Sequence, residues 1–232
     1  MKYTYLFFLL TQLYFFQVKA QSTPAYLQAD FTLGVYEGGV SMALAGYRLH
    51  PVAFNGKLQL GYGLRFSNYF GSEVDYITAP ADVTEGNLFT APNDDRLDTL
   101  QLGNAQTNAL NAAVYVVYTL TDRWGVGFNI DLIGVSFGAD QAGVFTANSE
   151  GRSTTEVDAS VSNFNLLLTG DYDRGSLNSE LYVYYLLNDR WALRGGFTYL
   201  FSEYTTDQTL TFDNDRFRRK SLGGAVSLAY RF

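Results

Sequence analysis

The stretch Leu222-Gly-Gly-Ala-Val-Ser-Leu-Ala-Tyr-Arg-Phe232 decides how the rest of the chain is read. Leu222, Gly224, Val226, Leu228, Tyr230 and Phe232 alternate with Gly223, Ala225, Ser227, Ala229 and Arg231. Successive side chains of a strand point to opposite faces, so one face here is greasy and the other small or polar. The pattern returns at Lys57 to Ser67, where Leu58, Leu60, Tyr62, Leu64 and Phe66 oppose Lys57, Gln59, Gly61, Gly63, Arg65 and Ser67. In a soluble sandwich the greasy face would be the core. Here the opposite face carries glycine and the charged Lys57 and Arg65, which suits the lumen of a narrow barrel filled by side chains.

Working outward, two segments nearly repeat: Leu120-Thr-Asp-Arg-Trp-Gly-Val126 and Leu187-Asn-Asp-Arg-Trp-Ala-Leu193. Each sets an Asp-Arg turn between alternating strands and opens the second strand with Trp124 or Trp191. An indole gains most at the edge of an apolar band, where its ring is buried and its N–H reaches water. Tyr230 and Phe232 take the same place on the last strand.

The N-terminal end reads as an export signal. Lys2 precedes the apolar run Tyr5 to Phe16, and Val18-Lys-Ala20 supplies small residues for cleavage near Ala20. Residues 1–20 are therefore expected to be removed, leaving 21–232 as one barrel domain. Removing Lys2 and Lys19 takes the net charge from −7 to −9. That acidic balance argues against nucleic acid, which wants a basic stripe. With no cysteine, neither a disulfide framework nor a lipid-attachment site is expected. Past residue 20 no run of 18 or more apolar residues remains, so spanning by a helix is not expected.

The alternation gives eight strands, at about 26–36, 40–49, 56–69, 108–120, 123–137, 178–188, 190–204 and 217–232. Tight turns near 50–55, 121–122 and 188–189 fall on one side. The connections 70–107, 138–177 and 205–216 fall on the other, with a short loop at Glu37-Gly38-Gly39. Short periplasmic turns and longer external loops are the asymmetry of outer-membrane barrels. The expected fold is thus an all-β, antiparallel, up-and-down transmembrane barrel of eight strands with long external loops. Residues 71–107 hold Glu73, Asp75, Asp82, Glu85, Asp94, Asp95 and Asp98 against Arg96 alone, and read as a solvated acidic loop. Within 138–177 the mixed run from Phe164 reads as a hairpin extension or a cap over the mouth.

Catalytic chemistry is thin. His50 is the one histidine, placed by the strand order at a periplasmic turn, and no nucleophile and base are within reach of one another by topology. Asp171-Tyr-Asp173-Arg-Gly175 is a fragment of a calcium loop without the later ligands, and reads as turn chemistry. No cofactor or metal is expected, and no enzymatic role. Facing inward are Asp30, Lys57, Arg65, Asn129, Asp131, Arg194 and Arg231, which should pair because unpaired buried charge is costly. Arg216, Arg218, Arg219 and Lys220 enter the last strand from outside, at the height of lipopolysaccharide phosphates, which arginine binds by bidentate charge-assisted bonds.

The glycine-rich alternation, the Asp-Arg-Trp turns and the terminal Tyr230-Arg231-Phe232 resemble small outer-membrane β-barrels typified by OmpX and the transmembrane domain of OmpA. That resemblance implies insertion by the barrel-assembly machinery, residence in the bacterial outer membrane and contact with its lipid and lipopolysaccharide. It also implies a structural or surface-interaction role, with an external protein or small ligand at 70–107 and 138–177, or else passage of small solutes or apolar molecules. Ser227 and Ala225 depart from the usual assembly signal, while the aromatic pair Tyr230 and Phe232 matches it.

Overall fold

The computed structural model describes residues 24–85, 91–168 and 172–232; the export signal lies outside them, as does Asp171. Eight long strands close on themselves: β1 (Tyr26–Tyr36), β2 (Gly39–Ala53), β3 (Leu58–Thr78), β4 (Thr99–Thr119), β5 (Trp124–Phe137), β9 (Leu177–Leu186), β10 (Trp191–Thr206) and β11 (Arg216–Arg231). Each pairs antiparallel with the next, and β11 returns to β1 with Arg231 opposite Gln28 and Tyr36 opposite Gly223. This is an eight-stranded, all-β, up-and-down barrel. Among the described residues no helix is long and apolar enough to cross a membrane, as expected of a chain whose spans are strands.

The two ends differ. At one, the strands are joined by the short segments 54–57, 120–123 and 187–190. At the other, β3 and β4 run on well beyond the eight-stranded ring, pairing Tyr76 with Leu100. There β6 (Gln141–Ala147) and β7 (Ser153–Val161) form a hairpin inserted between β4 and β10, and Phe217 and Arg218 of β11 reach across to Thr78 and Ile77 of β3. Six strands, β3-β4-β6-β7-β10-β11, thus close a second and narrower ring on top of the first. The short strand β8 (Phe164–Leu166) pairs with β5 outside this upper ring.

The upper ring corrects the reading of 70–107 as a solvated loop. Most of that segment is strand, and Asp98 is 1% exposed, accepting from the backbone N and Oγ of Ser149 and from Thr211. The alternation is obscured because the inward set changes phase at Glu73, whose φ is 52°. Below it Arg65 and Tyr69 face inward; above it Val74, Tyr76 and Thr78 do. His50 also moves from its expected place in an exposed turn: it lies within β2, opposite Leu60, with its ring 5.7 Å from that of Tyr62.

Candidate functional site: a filled lumen inside an apolar belt

On the outer face of the lower ring every strand contributes exposed apolar side chains, among them Leu33, Leu44, Leu64, Val116, Phe128, Leu181, Phe197 and Val226. Between Leu60 and Phe70 on β3 the outward positions are Leu60, Tyr62, Leu64, Phe66, Asn68 and Phe70, without a charge. That span is roughly 33 Å along the strand, or about 25 Å along the barrel axis at the usual tilt, the height of a hydrocarbon band. Soluble monomers rarely expose continuous apolar surface of this extent.

Aromatic pairs edge the belt at the turn end. Trp124 lies 4.7 Å from Tyr185, Trp191 lies 4.7 Å from Tyr230, and Tyr230 lies 5.0 Å from Phe232.

Inside, glycine makes the room that tyrosine fills. A Cβ on Gly63 would come within 2.4 Å of the Cβ of Tyr47, and one on Gly127 within 2.3 Å of the Tyr182 ring. Tyr47 is thereby free to stack flat on Tyr115, with ring centroids 3.9 Å apart.

Beside these rings runs an ionic network. Arg65, 2% exposed, donates from Nε and Nη2 to Asp131 at 3.0 and 2.8 Å, and from Nη1 to Asn129 at 2.8 Å. Its Nη1 also pairs with Glu180 at 3.1 Å. Glu180 accepts from Asn129 at 2.8 Å and from Arg194 at 3.1 Å, and Arg194 in turn pairs with Asp30 and donates to the Tyr47 hydroxyl. Asp131 is completed by Asn111 Nδ2 at 2.9 Å and the backbone N of Asn178 at 3.0 Å. Three carboxylates and two guanidiniums therefore form one connected cluster across the lumen, each carboxylate held by donors, as buried charge requires.

Of the inward residues named from sequence, Asp30, Arg65, Asn129, Asp131 and Arg194 come together here. Lys57 does not: it is exposed in the turn before β3. Arg231 sits at the mouth, its guanidinium 3.8 Å over the Tyr26 ring. Glu180 joins both arginines and was missed, although it alternates with Leu181, Val183 and Tyr185 on the inward face with Tyr182 and Tyr184.

Above the network a second closure fills the upper ring. Tyr76, Leu100, Leu102, Phe145, Val157, Tyr204 and Phe217 pack together, all nearly inaccessible. Burial raises the Tyr76 hydroxyl well above its ordinary value. Below the network a cavity of about 490 Å³ opens at the turn end, bounded by Tyr26, Leu49, Val117, Tyr182 and Tyr184 and floored by Arg194.

The external basic residues divide. Arg216 and Arg218 pair with Glu203 at 2.8 and 2.9 Å on the outer face of the upper ring, and both donate to the carbonyl of Asp173. Arg219 turns inward and donates to the carbonyls of Glu37 and Asp75. Lys220 lies on the outer face beside them.

No family model matches the chain, and no curated protein does. Among solved structures it is similar to Neisserial surface protein A, at 10% identity over 90% of this chain and 97% of that one, with a TM-score of 0.39. A major outer membrane protein of Thermus thermophilus matches at 14% identity over 90% and 99%, with a TM-score of 0.38. The N-terminal β-barrel domain of Pseudomonas aeruginosa OprF matches at 8% identity over 91% and 100%, with a TM-score of 0.34. At such scores the likeness adds nothing to the strand pairing and the belt, which stand on the chain's own geometry. By that geometry the chain is an eight-stranded antiparallel β-barrel of the outer-membrane type.

Proposed function

We propose that this chain is a noncatalytic barrel of the bacterial outer membrane whose lumen does not conduct and whose role is structural or lies in the upper ring projecting from the surface. The observation that supports this most is the double closure of the lumen, ionic at Arg65 and Arg194 and apolar from Tyr76 to Phe217. An eight-stranded barrel is only wide enough for side chains to fill it. The upper ring, with the exposed Glu73, Asp94, Asp95, Glu150 and Glu156, is the surface offered to an external protein or small ligand. Contact of Arg216 with lipopolysaccharide phosphate would have to compete with Glu203, and Arg218, 2% exposed, offers it no surface.

One observation favours a narrow conduit instead: the cavity that runs from the turn end to Arg194. Conductance separates the two. Purified protein in planar bilayers is expected to give no steady unitary current steps. Sizeable, long-lived open steps from the native chain, absent from lipid alone, would establish the conduit and sink the filled lumen.

A further inference from the structure

The two Asp-Arg-Trp segments repeat in space as closely as in sequence. In the first, Thr121 Oγ1 accepts from the backbone N of Arg123 at 3.4 Å and of Trp124 at 3.1 Å. In the second, Asn188 Oδ1 accepts from Arg190 and Trp191, both at 2.9 Å. Leu120 and Leu187 each donate their backbone N to the following Trp carbonyl at 2.9 Å. Arg123 Nη1 donates to the Tyr185 hydroxyl and Arg190 Nη1 to the Tyr230 hydroxyl, both at 3.1 Å. Each of those tyrosines lies 4.7 Å from the indole of its own unit.

Each unit thus holds a long, exposed arginine against a tyrosine, fixing a side chain that is ordinarily free to move at the surface. Arg123 and Arg190 make no ion pair with any described residue, and each has further N–H donors beyond the one its tyrosine takes. Both stand one residue outside a Trp that begins the apolar belt, at the level where lipid headgroups lie. The surrounding rim is basic, with Lys57, Arg123, Arg190 and Arg231 against Asp122 and Asp189.

We propose that each of these turns is a binding site for the phosphate of an anionic phospholipid in the adjoining leaflet. The guanidinium of Arg123 or Arg190 takes the phosphate oxygens, and Trp124 or Trp191 packs along the glycerol and upper acyl chain. Charge complementarity selects this occupant, since a guanidinium fork matches phosphate oxygens and cationic side chains at the surface favour anionic lipid. The inference rests on the membrane-spanning reading.

The chain's two tryptophans are the two in these sites, so indole fluorescence, excited at wavelengths that tyrosine does not absorb, reports on them alone. Protein would be reconstituted in phosphatidylcholine vesicles containing a minority of either brominated phosphatidylglycerol or brominated phosphatidylcholine, whose acyl chains quench indole on contact. Insertion is checked separately by the heat-dependent shift of the folded barrel on gels. The native chain is expected to show an apparent preference for phosphatidylglycerol of about fivefold, the effect of one well-placed cation at a membrane surface. Arg123→Gln/Arg190→Gln should bring it to parity, whereas Lys57→Gln, at the same end but outside the two repeated units, should leave it unchanged. Equal quenching by both lipids in the native chain, or a preference that survives the double substitution, would overturn the proposal. A chain that never inserts would instead overturn the membrane reading beneath it.

Discussion

Arg65→Ala is expected to destabilise the barrel by about 3–5 kcal/mol, the cost of removing one partner from a buried charge cluster. Arg65 supplies three donors to Asp131 and Asn129 and one to the carbonyl of Asn178, and it faces Glu180 at 3.1 Å. Alanine strands Asp131, which is fully buried, with amide donors alone, and leaves Glu180 to a single guanidinium. Equilibrium unfolding in urea from lipid vesicles, followed by the loss of the compact gel form, measures it. Adding Asp131→Asn removes the stranded charge and should recover part of the loss. A change below about 1 kcal/mol for Arg65→Ala would mean that the cluster is solvated, as no closed lumen allows.

One residue away the opposite face is tested. Leu64 is 58% exposed, midway along the outward row from Leu60 to Phe70. Leu64→Arg is expected to cost about 2–4 kcal/mol in a bilayer, the penalty for arginine near the midplane of a barrel's lipid face. On a water-facing surface the same change would be worth about 0.5 kcal/mol or less. The same unfolding measurement reads it, and a loss within that smaller range would contradict the belt. The adjacent positions thus make opposite demands: arginine is required at 65 and excluded at 64.

The lower ring was legible in the sequence because its lipid-facing alternation is uninterrupted along Leu60 to Phe70 and Leu222 to Phe232. Both faces of those strands announce themselves, one by leucine and aromatic residues, the other by glycine and charge. The upper ring was not legible, for physical reasons that can be named. Water replaces lipid around it, so its outward positions become polar and the contrast fades: Asp75 and Gln101, cross-strand neighbours joined by a hydrogen bond at 3.2 Å, replace the greasy pairs below. The change of phase at Glu73 then breaks the count. Glu180 was lost for a different reason, lying near the start of β9 beside a turn-rich segment. Arg216 and Arg218 show a different limit, since only the fold reveals that Glu203, opposite Arg218 on β10, is there to receive them.

The most direct test of a lipid-facing belt around a filled lumen uses the absence of native cysteine. Single cysteines at the outward positions 60, 62, 64 and 66 on β3, spin-labelled in vesicles, would be scored for collision with oxygen, which concentrates in lipid, and with a water-soluble nickel chelate. All four labels are expected to collide strongly with oxygen and hardly with nickel, because side chains two residues apart share the lipid-facing side of the strand. Nickel accessibility at 62 and 64 equal to that of a loop label would contradict the account, because those positions would then face water.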